Sequence, residues 1–70
     1  MQKNLLDSKV VECDGVFVGV AIQSEDVHAR RFYATHDAAR ALHEVTMPDL
    51  ATLELEAGRL FRRYRAEAGR

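Results

Sequence analysis

The stretch KVVECDGVFVGVAI, residues 9–22, decides the fold of this chain. Asp14-Gly15 stands between two runs rich in β-branched residues, which predicts a β-hairpin with a two-residue type I′ turn. Both central positions of such a turn need a positive φ, which glycine adopts without strain. Alternation puts four side chains of the second strand on one face, which we expect to pack: Val16, Val18, Val20 and Ile22.

The chain after the hairpin predicts one more strand and two helices. We expect a turn over residues 24–26, a third strand over residues 27–34, and a short helix with Thr35 as its N-cap. A capping box at Thr46-Met47-Pro48-Asp49 opens a second helix. Its apolar stripe has helical spacing: Leu50, Leu53, Ala57, Leu60, Phe61, Tyr64 and Ala68.

These elements predict an α+β fold, in which a three-stranded antiparallel, hairpin-led sheet is followed by two amphipathic helices packed on one of its faces. Residues 8–70 form one domain in this interpretation, and residues 1–7, which lack periodicity, form a flexible tail. The longest apolar run is short and interrupted by Gly19, so we expect no membrane span and a cytoplasmic location.

The size of the chain predicts self-association. A protein of 70 residues buries only about 60% of the surface that its unfolded form exposes. Small proteins compensate with disulfides, metals or a second subunit. Cys13 is the single cysteine, so no disulfide can form within the chain. A second protein surface, from another copy or from a different protein, is the remaining means of burying apolar area.

The sequence offers weak signals for chemistry. His36 and His43 lie near one face of the first predicted helix, but Arg40 between them would repel a divalent ion, and Cys13 with scattered histidines lacks the spacing of a structural zinc site. Cys13 has no motif that would mark it as a nucleophile. We therefore expect no enzyme activity, no metal and no cofactor.

The C-terminal helix carries the most distinctive cluster of charge. Arg59, Arg62 and Arg63 lie opposite the apolar stripe, with Arg65 to one side, and together could contact phosphates. However, a buried helix needs a charged outer face, and cations suit its C-terminal end. The net charge of −1 also lacks the basic excess typical of nucleic-acid-binding proteins. Nucleic-acid binding is the less favoured alternative.

Several apolar positions instead suggest contact with another protein. Leu55 lies nearly opposite the helix stripe, and Gly58 adds a low patch in mid-helix, where glycine costs about 1 kcal/mol relative to alanine. The second face of the sheet is partly apolar. The predicted interface residues are Phe17, Ala21, Tyr33, Leu55 and Gly58.

The run from the predicted second strand through FYATHDAARAL, residues 32–42, covers about thirty residues and is similar to the strand–strand–helix half of HicB-type antitoxins. In that family a threonine followed by acidic and alanine residues opens the helix after the third strand. The proline-glycine segment usual between the strands of that family is missing here. The resemblance implies a regulatory adaptor. The residues themselves favour a non-enzymatic interaction module that forms a homodimer, without contact to a membrane.

Overall fold

A computed structural model describes residues 8–24 and 27–69. The predicted tail, residues 1–7, and residues 25 and 26 of the predicted second turn lie outside this part of the chain. The fold is α+β, with a four-stranded antiparallel sheet in the order β1-β2-β3-β4. The elements are β1 Ser8–Cys13, β2 Val16–Gln23, β3 Arg30–Ala34, a 3₁₀ helix Asp37–Leu42, β4 Thr46–Met47 and α1 Leu50–Ala68.

The hairpin forms where the sequence predicts it. Cys13 pairs with Val16 across a two-residue turn, and both turn residues have positive φ, 53° for Asp14 and 79° for Gly15. These angles match the type I′ turn, whose backbone twist suits the twist of the flanking strands. The prediction of a hairpin at Asp14-Gly15 is therefore confirmed.

A β-bulge in β2 changes which side chains face the core. Val11 pairs with Gly19 and Glu12 pairs with Phe17, which leaves Val18 without a partner on β1. The extra residue shifts the alternation, so that Val18 and Ala21 are both fully buried. The prediction that Val16, Val18, Val20 and Ile22 share one packed face is wrong for Val20 and Ile22, which lie on the other face.

The first predicted helix is a six-residue 3₁₀ helix, and a fourth strand follows it. His36, not Thr35, is its N-cap, and the His36 Nδ1 accepts a hydrogen bond from the Ala38 N–H at 3.0 Å. The chain then turns at Glu44, whose φ is 65°. Residues 44–47 pair with β3, for example through the Phe32 N–H donating to the Val45 carbonyl oxygen at 3.0 Å. Hydrogen bonds to β3 thus replace the continued helix that local propensity favours.

Helix α1 begins later than the sequence suggests. Thr46, the predicted N-cap, lies in β4, and the N-cap is Asp49, whose carboxylate accepts from the Thr52 N–H at 2.7 Å. The predicted stripe is confirmed at its centre, where Leu53, Ala57 and Phe61 are buried. Its C-terminal members Tyr64 and Ala68 are exposed, because the last turns of α1 extend past the core.

The core lies between one face of the sheet and the two helices. Among the described residues ten apolar side chains are buried and no polar one is, and four of the ten are alanines, so the core has little volume. Its members are Val11, Val18, Ala21, Phe32, Ala38, Ala39, Leu42, Leu53, Ala57 and Phe61. No helix of the described chain is long and apolar enough to cross a membrane.

Candidate interaction surface

The sheet face opposite the helices is apolar at its centre, and no described helix or strand packs on it, although the His43 ring lies edge-on to the Tyr33 ring with centroids 6.0 Å apart. Cross-strand partners lie on the same face of a sheet, which places Val10, Val20 and Tyr33 in one row across it. Phe17 and Val10 keep 44% and 53% of their surface exposed. We call this surface the open face: Ser8, Val10, Glu12, Phe17, Val20, Ile22, Arg31, Tyr33 and Thr46.

The open face carries one acidic and one basic side chain, at opposite corners. Glu12 pairs with Phe17 near the hairpin turn, and Arg31 pairs with Ile22 and Thr46 at the other end of the sheet. Neither charge forms an ion pair with any other residue in the described ranges. The Arg31 guanidinium lies over the Tyr33 ring, 5.9 Å from its centroid. Both charged side chains are exposed.

The five predicted interface residues do not form one surface. Phe17 and Tyr33 lie on the open face, but Ala21 is fully buried against the helices and is not available to a partner. Leu55 is 67% exposed on the outer side of α1, and Gly58 is half-buried on the same helix. The sheet and the outer side of α1 are on opposite sides of the molecule, so a single flat interface cannot include both groups.

Sequence reasoning missed most of the open face. Strict alternation from Val18 predicts that Val20 and Ile22 lie on the packed side. The sequence pattern does not single out Val10, Glu12 or Arg31 as interface residues. The bulge that places Val20 and Ile22 on the open face depends on how β1 pairs with β2. Gly19 is its only signal in the sequence, because a glycine inside a strand often marks a bulge.

The arginines near the end of α1 are mostly neutralised by acidic side chains. Arg59 lies 2.6 Å from Glu56, Arg65 lies 2.9 Å from Asp14, and Arg63 lies 3.8 Å from Glu67. Arg62 forms no ion pair within the described residues. A surface in which acids alternate with bases has little of the excess positive charge that phosphate binding requires.

Cys13 has the environment of a structural cysteine. It is half-buried and packs against the core. Burial raises the pKa of its thiol, the Asp14 carboxylate adds to this effect, and Arg62 acts against it. A raised pKa leaves less thiolate at neutral pH, and the thiolate is the reactive form. The environment therefore does not activate this thiol.

His36 and His43 accept hydrogen bonds from backbone N–H groups. A cleft of about 330 Å³ is lined by residues of β3 and the 3₁₀ helix, including His36, Arg40 and His43. The Nδ1 atoms of His36 and His43 accept hydrogen bonds from the N–H groups of Ala38 and Ala34, and Arg40 is paired with Asp37 at 2.6 Å. The His36 ring also lies between Phe61 and Tyr64, with centroids 5.8 and 5.5 Å away.

Among residues 8–24 and 27–69, no three His, Cys, Asp or Glu side chains are grouped so that they could hold a metal ion. Comparison with known proteins finds no match to a protein-family model, to a curated protein or to a solved structure.

Proposed function

We propose that this protein is a small, non-enzymatic interaction module that forms a homodimer through its open face. The observation that carries the proposal is the exposure of Phe17 and Val10 beside Val20, Ile22 and Tyr33 on a face that no described element covers. An apolar surface rimmed by polar groups is typical of a protein interaction site.

The energetic reason is the small core. Alanine accounts for four of its ten described members, and the open face leaves further large apolar side chains in contact with water. Removing apolar surface from water is worth about 25 cal/mol per Å². Covering the open face therefore stabilises the folded chain by adding to a core that is limited in size.

The charges favour a second copy of the chain over a nucleic acid. Glu12 and Arg31 give the open face no net charge, so two copies do not repel one another. A nucleic acid needs a basic surface, and Glu12 would lie against its phosphates. Three of the four arginines of α1 that could contact phosphates are paired with acids.

The size of the open face predicts a reversible dimer. A stable interface uses about 20–30 residues on each side, and the nine residues of the open face are well below that number. We therefore expect dissociation in roughly the micromolar range, with subunits that exchange within the time of an experiment.

Sedimentation of Phe17→Lys and Leu55→Lys, measured from about 1 to about 500 µM, tests the proposal. The substitutions are matched, because each places a lysine at an exposed apolar position on an opposite side of the molecule. We expect the wild type and Leu55→Lys to approach twice 7.9 kDa, and Phe17→Lys to stay at 7.9 kDa. Circular dichroism checks that both variants fold.

A wild type that remains monomeric over this whole range would overturn the proposal. A dimer that is lost with Leu55→Lys and kept with Phe17→Lys would also overturn it, because the interface would then lie on α1. Titration with a fluorescent DNA duplex at about 50 mM salt tests the alternative directly, and binding lost on Arg62→Ala would favour it over the homodimer.

A further inference from the structure

The positions of the two charges on the open face determine how two copies can meet. We infer that the copies are related by a two-fold axis that crosses their strands steeply and pairs Glu12 of each with Arg31 of the other. This inference rests on the homodimer proposed above and specifies its geometry.

The register of the strands gives the positions. Glu12 lies on β1 in the row of Phe17, Val20 lies in the next row on β2, and Arg31 lies on β3 in the row of Ile22. Neighbouring strands are about 4.8 Å apart and residues about 3.4 Å apart along a strand. Glu12 and Arg31 are therefore about 17 Å apart on a diagonal, with Val20 near its midpoint.

Only some symmetric arrangements bring these charges together. In a face-to-face dimer the two-fold axis lies in the plane of contact. It places one residue of a copy opposite a second residue of the other copy when it crosses the line between these two residues at its midpoint and at a right angle. An axis through Val20 and perpendicular to the diagonal therefore places Glu12 opposite Arg31 of the second copy, and Arg31 opposite Glu12. An axis parallel to the strands would leave Glu12 about 14 Å from Arg31 of the second copy.

This axis implies a steep crossing of the two sheets. The diagonal is inclined to the strands by about 35°, so the strands of the two copies cross at about 70°, which is closer to orthogonal than to aligned sheet packing. In aligned packing, by contrast, the second copy would cover Glu12 and Arg31 without placing an opposite charge next to either of them. Removing an unpaired charge from water costs free energy.

The same axis matches apolar side chains with one another. It places Val20 next to Val20 of the second copy, and Phe17 near Tyr33 of the second copy. Aromatic pairs contribute about 0.5–1.5 kcal/mol beyond the area that they bury. The pairing of the charges and the matching of the apolar side chains thus favour the same arrangement.

Charge reversal tests the pairing. Glu12→Arg alone and Arg31→Glu alone each place like charges opposite one another twice per dimer, and we expect each to weaken self-association by about ten-fold or more. An equimolar mixture of these two variants restores opposite charges at both positions, so it should form a heterodimer. The double variant Glu12→Arg/Arg31→Glu should recover the homodimer.

Native mass spectrometry distinguishes the species, and Glu67→Arg serves as the control, because Glu67 is exposed near the C-terminal end of α1, the helix that packs on the other face of the sheet. The control should dimerise like the wild type, and about 1 M salt should reduce every difference among the charge variants. If Phe17→Lys abolishes the dimer but the mixture forms no heterodimer and the double variant does not recover, the crossing geometry is wrong and the homodimer stands. If the wild type never dimerises, the homodimer itself is wrong.

Discussion

Gly19 shows how a single residue fits two strands together. A Cβ at this position would lie 2.6 Å from the Tyr33 carbonyl oxygen and well inside the van der Waals contact distance of the Phe32 ring. Phe32 is fully buried, so its ring has no free space to move into. Glycine in a strand interior often marks such a close approach. At Gly58, in contrast, an added Cβ would meet only the flexible end of the Arg62 side chain, whose Nη1 would lie 3.3 Å away.

Gly19→Ala and Gly58→Ala should therefore have opposite effects on stability. We expect Gly19→Ala to lower the free energy of unfolding by about 1–3 kcal/mol, because the added methyl overfills the core. Gly58→Ala should raise it by up to about 1 kcal/mol, because alanine is the better helix former and the exposed Arg62 can shift. Urea denaturation of both variants measures the difference, and equal effects would contradict the packing described for Gly19.

At the scale of the element, the ends of the helices depend on which side chain reaches the free backbone N–H groups. Asp49 caps α1 through the Thr52 N–H, while Thr46 takes part in β4. The hydrogen bond from the Thr52 N–H lowers the pKa of Asp49, and the Thr52 side chain adds to this effect. The carboxylate form is the one that stabilises the helix.

Asp49→Ala should lower the melting temperature at pH 7 clearly more than Thr46→Ala, which removes no cap. A folded-state pKa below the unfolded value of about 3.9 means that the stabilisation is complete above that pH and is lost as the pH falls through the folded-state pKa. The difference between wild type and Asp49→Ala should therefore be constant from pH 7 to about pH 5 and narrow below about pH 4. Thermal melts across this range measure it, and a difference that widens in acid would contradict this role.

At the scale of the whole molecule, the fold covers one face of its sheet and leaves the other face apolar and open. Both helices pack on the side of Val11, Val18 and Phe32. In the proposed homodimer the open face would connect the folding of the chain with its association, because covering its apolar side chains would stabilise the folded state.

The melting temperature of the wild type should consequently rise with protein concentration. Mass action stabilises a folded state that associates, while the unfolded chain gains nothing. We expect an increase of several degrees between about 5 and about 500 µM, and no increase for Phe17→Lys. Differential scanning calorimetry at several concentrations measures this, and a constant melting temperature for the wild type would argue against association.

Local sequence signals determined two elements of this protein. Asp14-Gly15 determined the position of the hairpin, because few residue pairs accept the two positive φ angles of a two-residue turn. The spacing of Leu53, Ala57 and Phe61 determined which side of α1 is buried. The α+β class follows from these two elements. Each of these signals lies within a few residues of the chain and needs no knowledge of its distant parts.

Only the tertiary structure decided the bulge, the fourth strand and the composition of the open face. Val20 and Ile22 lie on the open face, not on the predicted packed face, because β1 pairs with β2 around an unpaired Val18. Residues 44–47 are extended along β3 because they form backbone hydrogen bonds with it. Such hydrogen bonds join residues that are distant in sequence, and their free energy exceeds the small differences in local propensity that sequence patterns record.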